Sequence, residues 1–145
     1  PQSDSDYFLD SVDAPQVRAA TPDEVEARLG SVSTSVVLCG HTHIPRVVRS
    51  RSGQLLVNPG SVGLQAYEDD NPAYHAVENH SPNARYAIVE KRDEVWSAQL
   101  LEVPYDHASA ADMACQRGAA TWAMALLSGH IQAAASPLQQ TINGD

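Results

Sequence analysis

An α/β fold is predicted by three observations: a capped helix directly ahead of a continuous apolar strand, a series of short strand-like segments after it, and an alanine-rich helical segment at the end. The apolar strand, Ser35-Val36-Val37-Leu38-Cys39, is uninterrupted and stopped by Gly40, the pattern of a strand buried on both faces of an α/β sheet. A chain of 145 residues and 15.5 kDa makes one domain or part of one, large enough to bury a core.

The first twenty residues carry no periodic apolar pattern and read as an acidic loop with a short turn around Tyr7-Phe8-Leu9. Thr21-Pro22-Asp23-Glu24 then opens a helix: Thr21 caps it, Pro22 suits its first position, and Glu24 stands three after the cap. Val25 and Leu29 lie four apart on one face, and Gly30 ends the helix. Beyond the apolar strand, two short strands at 46–50 and 54–58 flank the hairpin sequence Arg51-Ser52-Gly53. Asn58-Pro59-Gly60-Ser61 is a tight turn. Residues 64–83 are polar, hold two prolines and show no period, which predicts a lid or binding loop. Segments 85–90 and 95–103 alternate as strands around the turn Lys91-Arg92-Asp93-Glu94. From Asp106 the chain is helical; Gly118 divides two helices, Gly129 ends the second, and Met113, Ala120, Met124 and Leu127 fall on one apolar stripe. The last nine residues read as a loose tail.

Composition excludes several classes. With 43% hydrophobic and 19% charged residues, the chain is neither disordered nor membrane-spanning, and no apolar run approaches the ~20 residues of a spanning helix. Residues 1–13 hold four aspartates and no base, unlike a signal peptide. Nine Lys+Arg against eighteen Asp+Glu give −9, which argues against general nucleic-acid or membrane-surface binding. Cys39 and Cys115 make no disulfide framework and suit a reducing, cytoplasmic compartment. A first residue of Pro1 rather than Met predicts a processed chain or a fragment. Charge is unevenly spread: residues 31–65 hold three arginines and no acid, between acidic flanks, so an anion is best received there.

That acid-free stretch contains Leu38-Cys39-Gly40-His41-Thr42-His43-Ile44-Pro45. A strand ends at Gly40, and two imidazoles follow at its carboxyl end, where open α/β sheets place ligands. Two histidines one residue apart can aim their rings into one small volume and hold a metal. Gly40 permits a sharp turn, and Pro45 stiffens the exit.

Gly40-His41-Thr42-His43-Ile44-Pro45, followed after one hairpin by Asn58-Pro59-Gly60-Ser61-Val62-Gly63, resembles the last block of calcineurin-like metallophosphoesterases, in particular their small bacterial and archaeal phosphodiesterase branch. The likeness runs from about residue 35 to 105. It implies the second half of a two-sheet α/β/β/α sandwich, with residues 1–105 in the catalytic domain, 106–130 its C-terminal helices and 131–145 a tail. It implies two divalent transition-metal ions, manganese first and iron, zinc or nickel as alternatives, that activate a water to hydrolyse a phosphomonoester or phosphodiester of a small molecule or nucleotide. His41 would bind the second metal and His43 the first. The family's Asp-x-His, bridging Gly-Asp, Gly-Asn-His and further His motifs are not found here, and no histidine precedes His41. The general acid would come from the Gly-Asn-His motif, so none is assigned. The chain is therefore expected to be the C-terminal portion of a longer enzyme, inactive and marginally stable without its N-terminal half.

Other residues carry two readings. Asn58, Gly60 and Ser61 are either the floor of a substrate pocket or a turn joining two strands. Tyr67, His75 and His80 read as surface-loop residues before cleft residues, and Arg46, Arg49 and Arg51 as a solvated edge before a phosphate attractor. Cys39, Cys115, Trp96 and Trp122 read as packing, and Asp106-His107 as a helix start. The alternative to an enzyme is a catalytically inactive member of the same fold that serves as a scaffold for protein interaction.

Overall fold

The structure is a computed structural model of the chain that describes residues 7–131. The predicted α/β class is borne out, with three helices and nine strands among the described residues. The loose tail predicted for the last nine residues lies outside them.

The N-terminal segment is not a loop. β1 (Asp10–Asp13) and β2 (Gln16–Ala19) form an antiparallel ribbon with Val12 opposite Val17. Its first two residues, Asp10 and Ser11, are both buried although they point to opposite faces. A strand that buries polar side chains gives no apolar alternation to read.

α1 (Pro22–Leu29) is built as the sequence predicts. The Glu24 amide donates to Thr21 Oγ1 at 3.3 Å and the Thr21 amide donates to Glu24 Oε2 at 2.6 Å, closing a capping box. Its buried Val25 and Leu29 join Phe8, Leu9 and Leu56 in the main apolar cluster.

β3 (Val36–Leu38) pairs in parallel with β5 (Leu55–Asn58), which pairs antiparallel with β4 (Arg46–Arg49), giving the order β3-β5-β4. The strand buried on both faces is β5, every residue of which is buried. Among the described residues β3 is instead the edge of this sheet, and Leu38 is 68% exposed. Val37 and Cys39 face the cluster of Phe8, Leu9, Val25, Leu29 and Leu56, while Leu38 points to the other side.

The segment expected to be a loop at 64–83 contains a hairpin, β6 (Ala66–Asp69) and β7 (His75–Glu78), with Tyr67 opposite Val77. β7 buries His75 and Val77 and leaves Ala76 and Glu78 half-exposed, a strand alternation disguised by a buried histidine. β8 (Ala84–Arg92) and β9 (Val95–Val103) form the longest ribbon as predicted, turning at Asp93 and Glu94 with φ of 47° and 65°.

Asp106 caps α2 (His107–Gln116), its carboxylate accepting the Ser109 amide at 3.1 Å. α3 (Ala120–Ser128) follows Gly118 and ends on the left-handed Gly129. The predicted stripe of Met113, Ala120, Met124 and Leu127 is not the packing face. Ala111, Ala123 and Leu126 form it, with Ala110 and Ala114 against them, and Met113 and Leu127 are exposed. Small alanines around Leu126 let the two helices approach closely and leave Met113 and Leu127 outside the contact. Trp122 and Cys115 are likewise exposed rather than core, and Trp122 donates its indole N–H to the Gly63 carbonyl at 3.3 Å. Among the described residues no helix is long and apolar enough to cross a membrane.

Candidate metal-binding site at the end of β3

The backbone leaves β3 through Gly40 and immediately reverses. The Thr42 amide donates to the Gly40 carbonyl at 2.9 Å, which closes a three-residue turn around His41 at φ 70°. His43 is left-handed too, at φ 58°. Two non-glycine residues in this region within one turn are held by surrounding contacts, and such strain gathers at functional loops.

Those contacts come from four directions. Between the two histidines, Thr42 is buried and donates its hydroxyl to Asp10 Oδ2 at 2.8 Å. Asn58 donates from Nδ2 to the Gly40 carbonyl at 3.1 Å and to Thr42 Oγ1 at 2.9 Å, while its Oδ1 accepts the Gly60 amide at 3.0 Å. Tyr67 donates its hydroxyl to the His41 carbonyl at 3.2 Å, and Asn79 donates to the His43 carbonyl at 2.9 Å. Buried Asp10 accepts Arg46 Nε at 3.0 Å and Nη2 at 2.6 Å on its other oxygen. Arg46 is therefore a structural ion-pair partner rather than part of a solvated edge; Arg49 donates to the Gly53 and Trp96 carbonyls, and Arg51 pairs with exposed Asp23.

The rings are set as well. His43 donates from Nδ1 to the Leu64 carbonyl at 2.9 Å, since a carbonyl can only accept, so the lone pair stands on Nε2. Burial, followed by the neighbouring His41, holds the His43 pKa below its ordinary value and keeps the ring neutral at pH 7. Tyr7 lies edge-on to His41 with centroids 4.9 Å apart, and Tyr67 edge-on to His43 at 5.2 Å.

Tyr7, Tyr67 and His75 cluster beside the loop. His75 is fully buried and gives its Nδ1–H to the Ala73 carbonyl at 2.8 Å, so Nε2 accepts the Tyr7 hydroxyl at 2.7 Å. The Tyr67 hydroxyl lies 2.9 Å from that of Tyr7. Burial raises the pKa of both phenols, which stay protonated. His75 and Tyr67 thus leave the surface-loop reading: Tyr67 bonds the histidine turn directly, and His75 holds Tyr7, which packs on His41. A cleft of about 750 Å3 opens beside Tyr7 and Asp10, bounded also by Ser11, Arg28, Asn71 and Pro72.

The polar atoms of the expected pocket floor are taken up by the protein. Asn58 is spent on the histidine turn and on Gly60. Gly60 has φ 89°, and a Cβ there would stand 3.0 Å from that of Arg85. Ser61 Oγ accepts the Leu64 amide at 3.0 Å.

His43 and His41 form a chemically suitable start to a metal site. They do not complete one. Among the described residues their ring nitrogens join no third His, Cys, Asp or Glu donor, and buried Asp10 is already held by Thr42 and Arg46. A site for two divalent ions needs carboxylates as well as imidazoles, so the residues described here do not fit such a pair unaided. As parts of this site Asp10, Tyr7 and Asn79 carry no local signal in the sequence, and only pairing across tens of residues gives them their places.

No curated protein matches the chain. Residues 15–81, from the hairpin before α1 through β7, match the calcineurin-like phosphoesterase superfamily domain, so the resemblance carried by the two motifs is borne out over this segment, which takes in His41, His43, Asn58, Tyr67 and His75.

Proposed function

We propose that the chain is part of the catalytic domain of a metal-dependent phosphoesterase, acting on a phosphomonoester or phosphodiester of a small molecule or nucleotide, with manganese as the first choice of ion. Its contribution is His41 and His43 as ligands, on a turn wound before any metal arrives. The observation that carries this reading is His43: its Nδ1 is committed to the Leu64 carbonyl, which presents an unprotonated Nε2 as a ligand must be. The remaining donors, and any group that protonates the leaving oxygen, come from outside the described residues. These residues alone carry no reaction step. A reducing, cytoplasmic setting accords with free Cys39 and Cys115.

Manganese-dependent hydrolysis of bis-p-nitrophenyl phosphate by the gene product carrying these residues tests this. His43→Ala abolishes turnover; an undiminished rate in that variant overturns the ligand role. The scaffold reading draws on exposed Tyr86, Ile88, Val95, Leu100 and Val103 along β8 and β9. Lack of metal-dependent turnover in the unsubstituted protein, together with a partner bound through these side chains, would favour it.

A further inference from the structure

A second group of ligand-bearing side chains lies away from the histidine turn, where the end of β7 meets the end of α3. Glu78 closes β7, His80 follows two residues later, and His130 follows the left-handed Gly129 at the end of α3. One donor atom from each lies within 4.8 Å of the others. His80 Nδ1 and His130 Nδ1 are 3.3 Å apart, and His130 Nδ1 is 3.6 Å from Glu78 Oε2.

We propose that Glu78, His80 and His130 form a mononuclear zinc site that fastens α3 to the β6-β7 hairpin. The spacing is the first argument. Zinc–nitrogen bonds of ~2.0–2.1 Å at tetrahedral angles set donors about 3.3–3.4 Å apart. The two nitrogens already stand at that distance, and the carboxylate oxygen stands a few tenths of an ångström beyond it. Two imidazoles and one carboxylate are a zinc donor set, with a fourth position left for water.

The backbone supplies the second argument, because each ligand is held from behind. The Ile131 amide donates to Glu78 Oε1 at 2.6 Å, which leaves Oε2 as the oxygen turned toward His130. The His80 amide donates to the Gly129 carbonyl at 3.1 Å, tying the two ligand-bearing segments together beside the site. His80 itself is left-handed, at φ 56°. Close approach demands Gly129: a Cβ there would lie 2.4 Å from the Ser81 nitrogen. Without a metal, the facing imidazole nitrogens must share a proton, one donating and the other accepting. Zinc replaces that proton and offsets the Glu78 charge. His130 is half-exposed, so an ion reaches the site from solvent.

The probes are cobalt(II) and zinc alone, added to the full untagged chain carrying His41→Ala and His43→Ala, so that the histidine turn cannot account for the binding. The expected result is one equivalent of cobalt with the intense visible absorption of four-coordinate Co(II), displaced stoichiometrically by zinc. Zinc also raises the thermal midpoint of this chain. Adding His80→Asn, which retains a residue tolerant of the left-handed backbone, weakens binding by at least about tenfold and removes the zinc-dependent rise. In the unsubstituted chain, zinc shifts the imidazole resonances of His80 and His130. Absence of cobalt binding, binding indifferent to His80→Asn, or unshifted His80 and His130 resonances each overturn the proposal.

Discussion

Thr42 and Asp10, 32 residues apart, meet in a buried hydrogen bond of 2.8 Å, and this contact roots the histidine turn in the first strand of the fold. The hydroxyl is the only polar atom of the Thr42 side chain, and it serves both neighbours, donating to Asp10 and accepting from Asn58. Arg46 neutralises the carboxylate from the opposite side.

Removing members of this cluster is expected to destabilise the protein unequally. Thr42→Val leaves Asp10 Oδ2 and Asn58 Nδ2 short of a partner at a cost of about 1–3 kcal/mol. Asp10→Ala strands the Arg46 guanidinium and approaches ~3 kcal/mol, the low end for a broken buried pair because Arg46 is partly exposed. Urea denaturation at pH 7 checks both, and a Thr42→Val chain as stable as the parent would show that the hydroxyl does not anchor the turn.

The His43 ring is expected to titrate below its ordinary value, because burial favours the neutral form. Between the ordinary pKa of about 6.5 and the lower folded value, the unfolded chain binds more protons than the folded one. The His43 contribution to stability is therefore complete above about pH 6.5 and is lost as pH falls through the folded pKa. Nitrogen-resolved NMR across pH 4–8, run without metal, reads the midpoint and shows whether the Nδ1–H tautomer is the neutral species.

Tyr67→Phe removes the hydroxyl that holds the His41 carbonyl and touches Tyr7. Its stability cost is about 1 kcal/mol. The more specific readout is hydrogen exchange at the Thr42 amide, whose bond to Gly40 closes the turn. Faster exchange there than at β5 amides is expected; equal protection in variant and parent would mean that the phenol does not brace this turn.

The two thiols should react at very different rates. Burial pushes the Cys39 thiol up to about 11, while Cys115 is exposed on α2. At pH 8, one thiol per folded chain reacts promptly with a disulfide reagent and the second only in denaturant. Cys115→Ser removes the fast phase, and persistence of that phase would place Cys39 at the surface.

Elements with a local signal were legible in the sequence. α1 announces itself through Thr21, Pro22, Glu24 and Gly30, all within one short window, and the β8-β9 ribbon and both C-terminal helices follow from period and glycine. The histidine turn was legible through glycine, two imidazoles and proline. What was lost is whatever depends on distant partners. β1 and β7 bury Asp10, Ser11 and His75, polar side chains satisfied by Arg46, Glu24 and Tyr7, so neither strand shows an apolar alternation. Continuous apolar character at 35–39 predicts burial on two faces, but among the described residues one covering cluster lies against only one of them. In α2 and α3 the apolar period points to Met113, Met124 and Leu127, whereas the interface is built from alanines around Leu126.

Leu38, exposed on the outermost strand of its sheet among the described residues, bears on how the chain behaves at high concentration. A short bare edge carrying an apolar side chain is a template onto which another copy can add, and edges of this kind are commonly blunted in natural sheets by lysine or proline. The overall −9 charge opposes such stacking at low ionic strength and is screened by salt. Solubility of this chain should therefore fall as salt rises, and Leu38→Lys should restore it by discouraging strand-to-strand growth.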